Sequence, residues 1–274
     1  ITVARNDSLL LKNLAKSMKN QTKKPDEWII ILDENNDSTI DALSHFMTKY
    51  PWTRIISDDN INGAFSRGER ISRLFSIAIG KSSLEWDFCS KIDADMKLEK
   101  KYFEKILSEF SDNPKLGIAS GNCILPSEWG GKMERTPDYH TRGGLKTYRR
   151  ECYHQIGGVD PVDGWDTIDN IRAKISGWET SNFKHIIAVH SRPTGTQKGL
   201  LYTSFNEGRK SYFLGYFKPF FLAKCLHRML SRPIFVGGLA MLLGYTMSLA
   251  KRAPQINDEN IRKYLKKRQI SQLS

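Results

Sequence analysis

Trp86-Asp87-Phe88-Cys89-Ser90-Lys91-Ile92-Asp93-Ala94-Asp95 runs an apolar-rich segment of strand length into two carboxylates separated by one small residue. Such an end reads in two ways. It is a solvated acidic turn, or it is a place where a hard divalent cation is shared between Asp93, Asp95 and the phosphates of a substrate. The surrounding pattern has to decide between them.

Upstream, Leu10, Leu11, Leu14, Ala15 and Met18 recur at helical spacing, and Trp28 to Leu32 is a continuous apolar run that ends in Asp33-Glu34-Asn35-Asn36-Asp37. A helix over Thr39 to Tyr50, a short strand at Arg54 to Ser57, a Gly-containing loop to Gly63 and a helix around Arg70 to Ile79 follow. The apolar start Ile1-Thr2-Val3-Ala4 reads as a buried strand whose upstream residues have been removed. Downstream, the spacing predicts a helix at Lys100 to Phe110, a strand at Leu116 to Ile124, an irregular stretch containing Pro126, Pro137, Gly143 and Gly144, a helix at Asp166 to Ser176 and a last strand at Ile186 to His190. Strands that alternate with helices predict an α/β fold with a mostly parallel sheet, which gathers ligands beyond the carboxyl ends of its strands. Both acidic clusters fall at such ends.

Charge separates the chain into two parts. Residues 1–197 carry 28 Lys/Arg against 27 Asp/Glu, whereas residues 198–274 carry 14 against 3, so nearly all of the formal +12 lies in the last part. A balanced body argues against nucleic acid as a partner. The tail interleaves Tyr202, Phe205, Tyr212, Phe213, Tyr216, Phe217, Phe220 and Phe221 with Arg209, Lys210 and Lys218, and Pro233 to Ala250 holds no charged residue. This is the composition of a helical, basic, membrane-associating extension; a docked or interfacial helical pair is favoured over a bilayer span, because Gly237, Gly238 and Gly244 weaken an isolated helix. Division into a domain at 1–197 and an extension at 198–274 follows. The four cysteines show no paired spacing, which predicts reduced thiols and a cytoplasmic location, peripheral at the membrane.

Several residues can carry chemistry beside the Asp pair. His190 follows the last strand and can complete a metal site, and Arg192 just beyond it can neutralise diphosphate charge. Asp166 opens a helix, so it is either an N-cap or a general base for an incoming hydroxyl; Asp169 is the alternate base, placed by this reading on the exposed helix face. Asp33 and Asn35 can meet the base and ribose of a nucleotide. Of Arg67, Arg70 and Arg73, helical spacing turns Arg73 toward the site. Gly80-Lys81-Ser82 ends like a phosphate-binding P-loop, but Phe75 holds the required upstream glycine position.

Taken in order, these pieces resemble glycosyltransferase family 2. Thr2-Val3-Ala4-Arg5-Asn6, Ile31 to Thr39, Asn62-Gly63, Arg73, Lys91 to Asp95, Tyr148-Arg149-Arg150-Glu151, Ile156-Gly157-Gly158, and Asp166 with Arg172 and Gly177 carry the resemblance over residues 1–195. It implies a GT-A fold and an inverting, hexosyltransferase-type enzyme that moves a sugar from a nucleotide-diphosphate donor, UDP-sugar favoured, to a glycan or polyprenyl-linked acceptor. It also implies Mn2+ or Mg2+ as cofactor on Asp93, Asp95 and His190. Donor contacts would come from Ala4, Asn6, Asp33, Asn35, Arg73, Lys91, Asp93 and Arg192, and acceptor-side contacts from Tyr148, Arg149 and Trp165. Trp165 stands where the family usually has an acid directly before its base, which keeps Asp166 and Asp169 both open. A second class of function is a membrane- or polyanion-binding module with a degenerate sugar-nucleotide site.

Overall fold

The computed structural model describes residues 1–5, 8–33, 37–57, 63, 65–134, 136–191, 199–230 and 234–273. The chain falls into two compact units, Ile1–Arg192 and Pro193–Ser274.

In the first unit the elements run β1 (Thr2–Ala4), α1 (Ser8–Lys19), β2 (Trp28–Leu32), α2 (Asp37–Lys49), β3 (Thr53–Ser57), α3 (Arg67–Gly80), β4 (Phe88–Ile92), β5 (Met96–Leu98), α4 (Tyr102–Asp112), β6 (Leu116–Ile124), β7 (Leu145–Arg149), α5 (Arg150–Gln155), α6 (Trp165–Ile175) and β8 (Glu179–His190). Strands β1, β2 and β3 pair in parallel, with Thr2 opposite Ile30 and Trp28 opposite Thr53. Every residue of β2 is buried, because the sheet is covered on both faces. Ile30 and Leu32 pack with Leu11 and Leu14 of α1, whereas Ile29 and Ile31 pack with Leu74 and Ala78 of α3. The period-2 alternation thus serves two apolar layers, and each fully buried isoleucine contributes about 1.5–3 kcal/mol.

Ile1 joins β1 to β4: its amino group donates to Ser90 O at 2.7 Å and its carbonyl accepts from Ile92 N at 2.9 Å. The remaining strands lie in the order β4-β7-β6-β8-β5. Here β6 and β8 are parallel, while β4–β7, β6–β7 and β5–β8 are antiparallel. The parallel sheet expected from the sequence is therefore completed by a mixed half. One pairing matters most for the site, since β5 sets Met96 opposite His190 and so draws the end of β8 to the turn after β4.

The second unit is helical, with α7 (Leu200–Phe213), α8 (Lys218–Met229), α9 (Val236–Ala250) and α10 (Glu259–Ser271). Its core gathers Tyr212, Phe221, Cys225, Met241 and Tyr245, with the Phe221 and Tyr245 rings stacked at 4.3 Å. Asp258 caps α10 by accepting from Ile261 N at 3.2 Å. Among the described residues, no helix is long and apolar enough to cross a membrane.

Candidate active site

The turn Asp93-Ala94-Asp95 is held at three points. Asp93 N donates to Gly144 O at 2.9 Å, Met96 N to Asp93 O at 3.1 Å, and Ser191 N to Asp95 O at 2.9 Å. Ala94 is buried, so the two carboxylates leave the backbone on fixed trajectories. Asp93 keeps 38% of its side chain exposed, while that of Asp95 is only 10% exposed. Lys91, itself buried, ion-pairs with Asp93 Oδ1.

His190 sits between two acids. Its Nε2 lies 3.5 Å from Asp95 Oδ2 and its Nδ1 lies 3.1 Å from Glu134 Oε2. Burial by itself lowers the imidazole pKa, but the hydrogen bonds and charges of Asp95 and Glu134 outweigh it and push the pKa up to about 9. Positive charge is thus strongly favoured at this spot. Glu134 is anchored in turn by Arg142, whose Nη1 donates to Glu134 Oε2 at 2.7 Å while its Nε donates to Asn122 Oδ1 at 3.3 Å. Ligand-type atoms of Cys123, Glu134 and His190 all lie within 4.8 Å of one another. Burial raises the Cys123 thiol to about 12.

Asp166 comes to the same place from a different direction. Gly143 and Gly144 precede β7, and a Cβ on Gly143 would lie 3.1 Å from Asp166 Oδ2, whereas one on Gly144 would lie 2.7 Å from Asp93 Oδ2. The absence of side chains at this pair therefore lets the Asp93 and Asp166 carboxylates approach adjacent peptide units. Read from the sequence, these glycines are only part of an irregular stretch. The backbone at Asp166 is clamped as well: its carbonyl accepts from Lys146 Nζ at 2.7 Å and from Asn170 Nδ2 at 2.6 Å, and Asn170 accepts from Thr141 Oγ1 at 2.9 Å.

Asp169 requires a correction. It is not on the exposed face of α6 but 1% exposed, bound to Lys146 Nζ through both oxygens at 2.7 and 2.9 Å and to the hydroxyl of Tyr148. The reason is helical spacing, because Trp165, Ile168, Asp169 and Ile171 all fall on the buried side of α6. The residues expected on the acceptor side lie close by. Tyr148 is fully buried and its hydroxyl is engaged by Asp169. Arg149 donates to the carbonyls of Leu116 and Phe110 at 3.0 and 2.7 Å. Trp165 is 5% exposed, with Lys91 Nζ and Lys146 Nζ at 5.5 and 5.3 Å from its ring, within cation–π range.

On the donor side, Ala4 is buried at the end of β1, and its carbonyl accepts from Asp33 N at 2.8 Å. Asp33 pairs with Arg70, which also donates from Nη2 to the Asp33 carbonyl at 2.9 Å. Arg73, expected to face the site, instead pairs with Glu69 at 2.9 Å and lies over the Phe65 ring. The favourable i,i+4 spacing takes its guanidinium along the helix, leaving Arg70 to reach the strand end. Asn6, Asn35 and Arg192 lie outside the described residues. A cavity of about 740 Å³, lined by Ile1, Trp28, Trp86, Phe88 and Phe103 among others, opens near the starts of β2 and β4 and includes none of the carboxylates just described.

The fold has solved counterparts. A mannosyltransferase from Pyrobaculum calidifontis, PcManGT, in complex with GDP-Man and Mn2+, superposes with a TM-score of 0.58 at 12% identity, covering 96% of this chain and 83% of that one. TarS of S. aureus, residues 1–349 in complex with UDP, gives 0.56 at 10% identity over 92% and 71% of the two chains. A further TarS structure gives 0.54 at 10% identity over 89% and 42%. At these identities the likeness establishes a shared GT-A fold. No curated protein sequence matches the chain. The sequence profile of Glycosyl transferase family 2 matches residues 1–161, more than half of the chain, which therefore belongs to that family and is a glycosyltransferase.

Proposed function

We propose that the chain transfers a sugar, with inversion, from a nucleotide-diphosphate donor to a hydroxyl of a glycan or lipid-linked acceptor, and that it does so with a divalent cation. One observation carries the reading. Three separate segments carry Asp93 and Asp95 after β4, Asp166 beside the start of β7 and His190 at the end of β8, with Gly143 next to Asp166 and Gly144 next to Asp93.

The donor set suits a hard or borderline cation, being two carboxylates and an imidazole in a pocket that already favours positive charge. Asp93, Asp95 and His190 would hold it. A divalent cation, Mn2+ or Mg2+, held there would supply positive charge to offset the negative charge on the departing diphosphate. Glu134, fixed by Arg142, accepts from His190 Nδ1 and leaves Nε2 directed at Asp95, so it is a positioning residue. Lys91 orients Asp93. Asp166 takes the proton of the acceptor hydroxyl as that oxygen attacks the anomeric carbon, which inverts the configuration in one displacement. Lys146 and Asn170 hold the Asp166 backbone so that the base stays at reacting distance. Ala4 and Asp33, at the ends of the neighbouring strands β1 and β2, and Arg70 of α3, paired with Asp33, are assigned to the nucleoside, together with Asn6 and Asn35. Arg192 is assigned to the diphosphate. The two nucleotides bound by the similar structures, GDP-Man and UDP, support a nucleotide-sugar donor, and we favour UDP.

Residues 198–274 are assigned to a peripheral contact with the cytoplasmic face of a membrane, where a polyprenyl-linked acceptor would be met. Their charge excess supports this, as do the free, buried cysteines, which suit a reducing compartment. Donor hydrolysis across a panel of nucleotide-sugars with Mn2+ tests the main reading. One donor should be cleaved and chelation should stop it, while Asp93→Ala and Asp95→Ala should each abolish it. Undiminished hydrolysis in both variants would refute the assignment.

A further inference from the structure

Helix α9 is inside out. It buries Gly237, Gly238, Met241, Gly244, Tyr245 and Ser248, and it exposes Val236, Leu239, Leu243, Met247 and Leu249. The glycines are there for contact: a Cβ on Gly244 would lie 2.0 Å from Phe205 O, and one on Gly238 would lie 2.5 Å from Cys225 O. The backbone of α9 therefore packs against α7 and α8 at a separation that only small residues permit. In water, a helix turns its leucines inward and its small polar residues outward. Small residues at the helix–helix contact with leucines facing out is the arrangement of helices whose surroundings are hydrocarbon.

Helix α8 repeats the pattern, with Phe221 and Cys225 buried and Leu222, Leu226 and Leu230 exposed at four-residue spacing. The end of α8 and the start of α9 are tied together, Phe235 N donating to Met229 O at 2.9 Å. There Leu230 is 80% exposed and Phe235 65%, and Ile234 and Val236 are exposed too. Basic residues flank the two stripes at both ends: Lys218 starts α8, Arg228 lies in its last turn, Arg232 precedes α9, and Lys251 and Arg252 follow it; Lys218, Lys251 and Arg252 are exposed. Exposed Lys263, Lys266 and Lys267 of α10 add to them. At about 1.5 Å per residue the 15-residue α9 is about 22 Å long, short of the roughly 30 Å hydrocarbon thickness.

We infer that the α8–α9 hairpin inserts into one leaflet of an anionic bilayer, with the leucine faces of both helices, Leu230 and Phe235 among acyl chains and the flanking lysines and arginines at the headgroups. This rests on the membrane contact proposed above and specifies how it is made. A second copy of the chain is the weaker occupant, because its residues 198–274 would bring 14 Lys/Arg and 3 Asp/Glu against an equal excess.

The test uses the full chain carrying Leu230→Cys or Leu243→Cys labelled with an environment-sensitive NBD dye, with Ser108→Cys on α4 as the control. The four native cysteines are buried, and all three substituted positions are exposed, so the fold should be retained. With vesicles of phosphatidylcholine and phosphatidylserine, the dye at 230 and 243 should shift to the blue, brighten several-fold and be quenched by lipids carrying a nitroxide within the acyl chain. The dye at 108 should not respond. If the protein floats with these vesicles while the dye at 230 and 243 stays in water, insertion is wrong and only a surface contact remains. If it does not float at all, the membrane reading fails with it. A lipid-free blue shift that grows with protein concentration, alongside a dimer mass, would assign the face to a second copy instead.

Discussion

The catalytic unit and the helical unit break the usual rule of inside and outside in opposite ways. In the first, charged groups are buried: Lys91, Lys146 and Asp169 are each about 1% exposed or less. In the second, apolar groups are exposed along two helices and the turn that joins them. These buried charges have partners, since Lys91 meets Asp93, Lys146 meets Asp169 and the Asp166 carbonyl, and Asp169 also accepts from the Tyr148 hydroxyl. Burying ions costs several kcal/mol each before pairing, so a fold keeps them where their geometry is needed. Among the described residues the exposed leucines have no such compensation, and on the inference above acyl chains cover them. On these proposals one inversion positions chemistry and the other positions the enzyme.

Substitutions should separate the two. Lys146→Met leaves Asp169 buried beside Tyr148 without its cation and should cost about 3–5 kcal/mol in chemical denaturation. Adding Asp169→Leu should restore most of that stability but not the transfer rate, because the clamp on Asp166 stays lost. Next in size is Glu134→Gln, which keeps the shape but weakens the acceptor of His190 Nδ1. Mn2+ affinity, measured by electron paramagnetic resonance without donor, should fall about 10–100-fold, and Glu134→Ala should fall further. Gly144→Ala puts a Cβ where Asp93 Oδ2 and Met96 Cε now lie, at 2.7 and 2.9 Å, and should cost about 1–3 kcal/mol of stability together with cation affinity. Gly80→Ala, with nothing within 4 Å, is the control. Leu239→Ser with Leu243→Ser should have the smallest effect in lipid-free buffer, each within about 0.5 kcal/mol, since neither side chain is buried. A large loss there would mean that the leucine face is already packed in solution.

Much of the first unit was legible in the sequence. A continuous apolar run marked β2, the strand expected at Leu116 to Ile124 coincides with β6, helical periodicity marked α1 and α3, and Asp93 and Asp95 declared themselves at a strand end. What escaped did so for physical reasons. Strand β5 has three residues, too few to show a period, and it is the strand that joins Asp95 to His190. In β7, Lys146 looks like a surface charge, and only the fold reveals Asp169 beside it. Glu134 stands 56 positions before His190 in an irregular stretch, where no spacing rule links them. Asp169 could have been placed correctly, for its position four residues after Trp165 puts it on the buried stripe of α6. In α9 the recurrence of Gly237, Gly244 and Met241 on one side was likewise present in the letters. Reading the segment only as uniformly apolar concealed which face was turned in.

The assignment of Asp166 as the base beside a cation-held donor is tested most directly by Asp166→Asn, with donor binding and transfer measured on the same preparation. Mn2+-dependent binding of the nucleotide-sugar should match the parent chain by calorimetry, while transfer to acceptor should fall by about 100- to 10,000-fold. Transfer at the parent rate in Asp166→Asn would contradict it.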